Sequence, residues 1–99
     1  EQLIRDSRRE VGWKFPWFVA QVSYHTQDDP GSPDIRAAQK ALWKSGVALE
    51  GPDSDAMTGD LRDSNGNGVH FSGKGLREHG ASWAGKVSPW LEQQLAGAD

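Results

Sequence analysis

Apolar and polar positions change their period several times along the chain, and those changes mark out five elements. Over residues 1–12, Leu3, Ile4, Ser7 and Val11 fall on one side of a helix, and Gly12 stands where a helix stops. Nothing before Glu1 caps this helix, so the chain is expected to start inside one. Residues 17–24, Trp-Phe-Val-Ala-Gln-Val-Ser-Tyr, are a mostly apolar run of strand length without clean alternation. That pattern predicts a strand covered on both faces, as in a parallel sheet. His25 to Pro33 is dense in turn formers and reads as a loop.

Ser32-Pro33 predicts a helix start, with Ser as N-cap and Pro at the first helical position. Ile35, Ala38, Gln39 and Leu42 follow at i, i+3, i+4 and i+7, which puts Gln39 on the apolar face; Gly46 ends the helix. An amide on that face needs partners, and a tie to the neighbouring loop is its expected role, ahead of ligand contact. Val47 to Gly51 reads as a second short strand. Residues 52–68 are polar and glycine-rich and read as a long loop, of a length usually functional or mobile. A last helix is expected from near Ser72, burying Leu76, Gly80, Trp83, Ala84, Val87 and Leu91, with a break or restart at Ser88-Pro89.

The resulting order, α-β-α-β-α, is the repeating unit of a doubly wound α/β fold. Two parallel strands are too few for a stable sheet. The chain is therefore expected to be the C-terminal part of a larger α/β domain. Its 99 residues allow one domain at most. The 35% hydrophobic and 25% charged content fits a soluble globular composition with material for a core. Five tryptophans imply large buried rings or an aromatic surface that meets a ligand or another part of a protein.

Charge narrows the partners. The net charge is −3 and no basic cluster exceeds Arg8-Arg9 with nearby Arg5, so nucleic acid is not an expected partner. No apolar run approaches membrane-spanning length and no signal peptide is visible, so no membrane partner is expected either. The chain lacks an initiator Met, which leaves room for a removed upstream segment. Without cysteine there is no disulfide framework and no clue to redox compartment.

Candidate chemistry concentrates in Asp63 to Gly75, Asp-Ser-Asn-Gly-Asn-Gly-Val-His-Phe-Ser-Gly-Lys-Gly. Asp63, Asn65, Asn67 and Gly68 match the opening of an EF-hand loop. That loop must close on a bidentate Glu at its twelfth position, where this chain has Lys74. The calcium reading fails on charge. His25, His70 and His79 show no i, i+4 spacing, so no metal centre is expected. Tyr24 and His25 end the first predicted strand, where ligands bind in open α/β sheets, with Ser23 and Glu50 close by. His70 ends a glycine-rich loop just before a helix, and Val69 and Phe71 are expected to anchor it in the core. A general base needs that combination of fixed position and access.

Three stretches, Asn67 to Val87 with Ile35 to Leu42 and Gly46 to Gly51, resemble the C-terminal third of a known family. It is the sialate O-acetylesterase-like branch of the SGNH (GDSL-type) hydrolases. The resemblance covers most of the chain from Trp17 onward; Val69-His70-Phe71 and the Ile35-to-Gln39 helix start are its specific parts. It implies a three-layer α/β/α sandwich around a parallel sheet, of the SGNH-hydrolase/flavodoxin-like kind. It also implies serine-ester hydrolysis of acetylated carbohydrates, with His70 as general base; Tyr24 and His25 are substrate-binding candidates from their strand-end position alone, where a plain loop role is the commoner one. No cofactor is implied, and a secreted or periplasmic location follows from the substrate class.

Two departures from that family stand out. The aspartate that orients the histidine falls at Asn67, which can accept a hydrogen bond but supplies no charge. In serine proteases the equivalent change costs about four orders of magnitude in turnover. Asp63 or Asp60 from the same loop, a Ser-His dyad, or weak activity are the ways around it. The nucleophile and oxyanion motifs are absent, so activity is expected only when the remainder of the same hydrolase domain completes the site. An inactive sugar-binding or scaffold domain, and a general carboxylesterase, are the alternatives.

Overall fold

The computed structural model describes residues 1–97. Three helices and a two-stranded parallel sheet build a small mixed α/β domain in the expected order. Helix α1 spans Gln2–Val11 and ends where Gly12 turns left-handed (φ 86°), its N–H returning to the Arg8 carbonyl. Only Ile4 of its apolar stripe is buried; Leu3 and Val11 face outward. Ser7 serves as a polar tie, its hydroxyl accepting from Trp17 Nε1 at 3.0 Å.

Strand β1 is Phe18–Gln21, shorter at both ends than the expected 17–24. It stops because the backbone after Gln21 finds side-chain partners instead of a strand. The Gln39 amide pairs with both N–H and C=O of Val22, each at 3.0 Å. The Asp55 carboxylate takes the N–H groups of Ser23 and Tyr24. Gln39 thus has the tying role expected of it.

Helix α2 spans Pro33–Lys44, capped by the Ser32 side chain. Strand β2 is Leu49–Asp53, two residues later than expected. Ala48 N–H is still held by the Leu42 carbonyl of the preceding turn, and pairing begins with Leu49 N–H to the Trp17 carbonyl. The register runs Phe18–Leu49, Val19–Glu50, then Gln21–Asp53, so β2 carries one extra residue near Gly51-Pro52. A Cβ at Gly51 would lie 2.9 Å from the Ala20 nitrogen, closer than side chains tolerate. Phe18 meets Trp90 of the last helix edge-on while Gln21 bonds the Arg36 carbonyl of α2. Residues three apart on a strand face opposite ways, so helices cover both faces of the sheet.

The expected loop 52–68 has structure of its own: single 3-10 turns at Ser54–Ala56, Gly59–Leu61 and Ser64–Gly66. Helix α3 then runs unbroken over Gly73–Ala96, with Pro89 inside it rather than at a break. A proline removes one N–H and crowds one carbonyl, which an exposed face of a long helix can absorb. The inward stripe is also rotated from the expected one. Gly75, His79, Trp83, Val87 and Trp90 are buried or half-buried, whereas Leu76, Gly80, Ala84 and Leu91 are exposed. Gly75 lies against the Leu61 carbonyl, which leaves no space for a side chain. The core itself is small: Ile4, Ala20, Tyr24, Ala48 and Met57.

Candidate active site

Beyond the carboxyl end of β1 the chain is pinned by one carboxylate. Asp55, its side chain only 5% exposed, accepts from Ser23 N–H (2.7 Å), Tyr24 N–H (2.8 Å), the Ser23 hydroxyl (2.6 Å) and Arg36 Nη1 (2.9 Å). Arg36 also forks onto both oxygens of Asp53. Burial works against charge on Asp55, but the Ser23, Arg36 and Tyr24 donors outweigh it and hold the carboxyl below its usual range. The Arg36 hydrogen bond does the same for Asp53. Arg36 is held more firmly protonated in return, by Asp53 first and Asp55 second. Ser23 closes the network, its oxygen accepting the Ser32 N–H at 2.8 Å and so tying the start of α2 to the end of β1.

Next to this network an open cleft of about 430 Å³ is lined by Tyr24, Ser54, Arg62, His70, Phe71 and His79 with apolar neighbours. Tyr24 is 7% exposed, and its hydroxyl is buried without a hydrogen-bond partner. Arg62, 5% exposed, lies in the cleft wall with its guanidinium carbon over two rings, 3.9 Å from the Tyr24 centroid and 4.3 Å from that of Phe71. Its three nitrogens donate to the carbonyls of Met57, Val69 and Ser54, each at 2.7 Å. Burial lowers its hold on the proton, opposed by the charges of Tyr24, Asp55 and Asp63.

His70 is exposed at the cleft wall, and no hydrogen bond reaches its ring among the described residues. Its backbone, in contrast, is firmly placed. Asp63 N–H donates to the His70 carbonyl (2.9 Å), Ser72 N–H to the Leu61 carbonyl (2.9 Å), and Arg62 pairs with Phe71 as an antiparallel bridge. Phe71 anchors the segment as expected, stacking near His79 at 4.6 Å between centroids. Val69 does not anchor through its side chain, which is exposed; its carbonyl is the held group.

The structure therefore brings Tyr24 and His70 to one cleft and leaves His25 outside it. His25 is exposed in a turn closed by Thr26 and Asp29, with Asp29 Oδ2 at 3.6 Å from its Nδ1. Neither expected orienter touches the imidazole. Asn67 is exposed, and the Asp63 carboxylate turns toward Gly68, with Oδ1 buried and unpartnered. Asp60 is paired with Lys74 Nζ at 2.9 Å, which keeps that lysine charged. Glu50 faces Lys86 at 3.4 Å, away from the cleft residues. Among the described residues no three His, Asp or Glu side chains gather as a metal site, and no helix is long and apolar enough to cross a membrane.

Sequence reasoning missed Asp55, Arg36 and Arg62. Asp53 and Asp55 sit in a stretch that reads as polar loop, and no spacing connects them to Ser23 or Arg36. Arg62 is flanked by ordinary loop residues, and a buried arginine held by carbonyls leaves no mark in a charge pattern. The arrangement defines a class: a mixed α/β domain with an accessible imidazole and a buried phenol in a cleft beyond a parallel strand. No family model, curated protein or solved structure matches the chain.

Proposed function

We propose that this chain supplies the general-base part of a serine-type hydrolase that removes O-acetyl groups from carbohydrates. The observation that carries the reading is the shared cleft. His70 and Tyr24, far apart in sequence, line it together, one with an accessible ring and the other with an unpartnered hydroxyl. Imidazole is the side chain most often used to move a proton in catalysis. The Tyr24 hydroxyl, buried without a partner, is a polar group that a residue from the remainder of the domain can satisfy. In this scheme His70 takes the proton of a serine as it attacks the acetyl carbonyl, then returns it to the departing sugar oxygen. Such chemistry calls for no metal.

The nucleophile and oxyanion donors come from the remainder of the same domain, completing a three-layer α/β/α sandwich. Two features support this completion: a sheet of only two strands covered by helices on both faces, and exposed apolar side chains at Val22, Ile35 and Leu76. Asp63 is the preferred orienter, since its N–H already holds the His70 carbonyl and its Oδ1 lacks a partner, and its carboxylate must turn from Gly68 to meet the ring. Asn67 is exposed and takes a lesser part. A secreted or periplasmic location accompanies this substrate class.

A fluorophosphonate that traps activated serines tests the reading in the intact protein. Labelling of a serine outside these 99 residues, lost in His70→Ala, is the expected result; no labelling of the wild type sinks it. The missing hydrogen bond on the His70 ring favours a second reading, an inactive sugar-binding domain of the same fold. Carbohydrate binding without labelling or acetate release identifies that case.

A further inference from the structure

Resting on the reading of His70 as general base, we infer that Arg62 is its positioning residue, a cation that holds both neighbours of the histidine at once. Preceding His70 is Val69, whose carbonyl accepts from Arg62 Nη1 at 2.7 Å. Following it is Phe71, whose ring lies 4.3 Å from the guanidinium carbon. The same guanidinium carbon also lies over the Tyr24 ring, 3.9 Å from its centroid. One planar group therefore sets the two cleft residues relative to each other, although Tyr24 and His70 are 46 positions apart in sequence.

The chemistry of the site asks for arginine. Three carbonyls, of Ser54, Met57 and Val69, accept from the guanidinium, while the Tyr24 and Phe71 rings lie against its central carbon. A lysine has neither the fork for three separate acceptors nor a flat face for two rings. No carboxylate pairs with Arg62 among the described residues, so its charge is spent on polarising carbonyls and rings rather than on an ion pair. A merely solubilising arginine would be exposed, whereas this one is 5% accessible. The backbone ladder from Leu61–Asp63 to His70–Ser72 includes Arg62 itself, so the bond from Asp63 N–H to the His70 carbonyl reports on the placement of this segment.

The test uses Arg62→Ala in the intact protein, with guanidinium chloride at low concentration as the rescuing ion and tetramethylammonium chloride as control. Two readouts apply without any activity: the backbone order of the Val69-to-Phe71 segment at His70 by NMR relaxation, and the hydrogen exchange of the Asp63 amide. The variant is expected to lose His70 backbone order and to exchange the Asp63 amide about tenfold faster or more, as loss of charge-assisted hydrogen bonds implies. Guanidinium should restore both readouts and the control ion neither. Ester turnover should fall about tenfold or more with KM little changed, again with rescue, as expected of a misplaced base.

A folded variant with wild-type His70 backbone order and Asp63 protection overturns the inference. Should Arg62→Ala unfold, Arg62→Lys carries the same readouts. Unfolding of both, without rescue, assigns Arg62 to general stability and overturns it too. A wild-type protein without esterase activity removes the general-base reading alone, because the NMR and exchange results still decide the positioning role.

Discussion

Replacing Asp55 by asparagine should remove a large part of the stability of this domain. The amide can keep one oxygen toward the N–H groups of Ser23 and Tyr24, but its nitrogen then faces Ser23 Oγ and Arg36 Nη1. Ser23 can turn its hydroxyl, although its oxygen already accepts the Ser32 N–H. Arg36 cannot reverse its role, and it remains held in the fork of Asp53. Losing one charge-assisted bond removes about 1.5–3 kcal/mol, and weakening two more to neutral strength removes roughly 1 kcal/mol each. Arg36 is part-exposed, which discounts the first figure, so the expected loss is about 3 kcal/mol. For a domain of this size that is a fall of about 12–24 °C in Tm.

Acid should reveal the same group. The folded-state values of Asp55 and Asp53 both lie below the ordinary carboxylate value. Above about pH 3.9 both carboxylates are charged whether the chain is folded or not, and their contribution is fully present. As pH falls through that value, the unfolded chain takes up protons first and the contribution is lost toward the lower folded values. Thermal unfolding of wild type and Asp55→Asn from pH 7 down to about 3 reads both effects. The variant should start lower and decline less steeply. A shift under about 0.5 kcal/mol at pH 7, or an unchanged acid slope, would refute the reasoning.

Other substitutions follow from single contacts. Gly75→Ala should push α3 off the Leu61 carbonyl and lower stability by about 3 kcal/mol or more in urea unfolding; a neutral result would mean that α3 sits elsewhere. Gly51→Ala should unseat the bulge against Ala20 and lower stability by roughly 1–3 kcal/mol, and an unchanged urea midpoint would contradict that placement. Pro89→Ala should raise stability by about 1–3 kcal/mol, because Pro89 sits inside a continuous helix; a loss of helix stability would restore the expected break. Gln39→Ala should leave the Val22 backbone groups to water and lower stability by about 1 kcal/mol, with faster exchange of the Val22 amide as the direct sign.

Local signals carried the architecture a long way. Ser32 and Pro33 announce α2 with a cap the structure contains, and Gly12 takes the left-handed turn that ends α1. The strand ends escaped, for a physical reason: Val22, Ser23 and Tyr24 look like strand, but their backbone partners are the side chains of Gln39 and Asp55. Periodicity also misplaced the inward face of α3, because a glycine at position 75 and a histidine at position 79 do not score as apolar. The cleft was half legible. Tyr24 and His70 stood out by position, whereas Arg62 binds three carbonyls from separate turns, a pattern that only the folded chain assembles.

The role of His70 is tested most directly by acetate release from an O-acetylated sugar, comparing the intact wild-type protein with His70→Ala. Loss of a general base should slow turnover by about 10²–10⁴-fold while the protein stays folded. Equal rates in the two proteins would take His70 out of the mechanism and contradict the account.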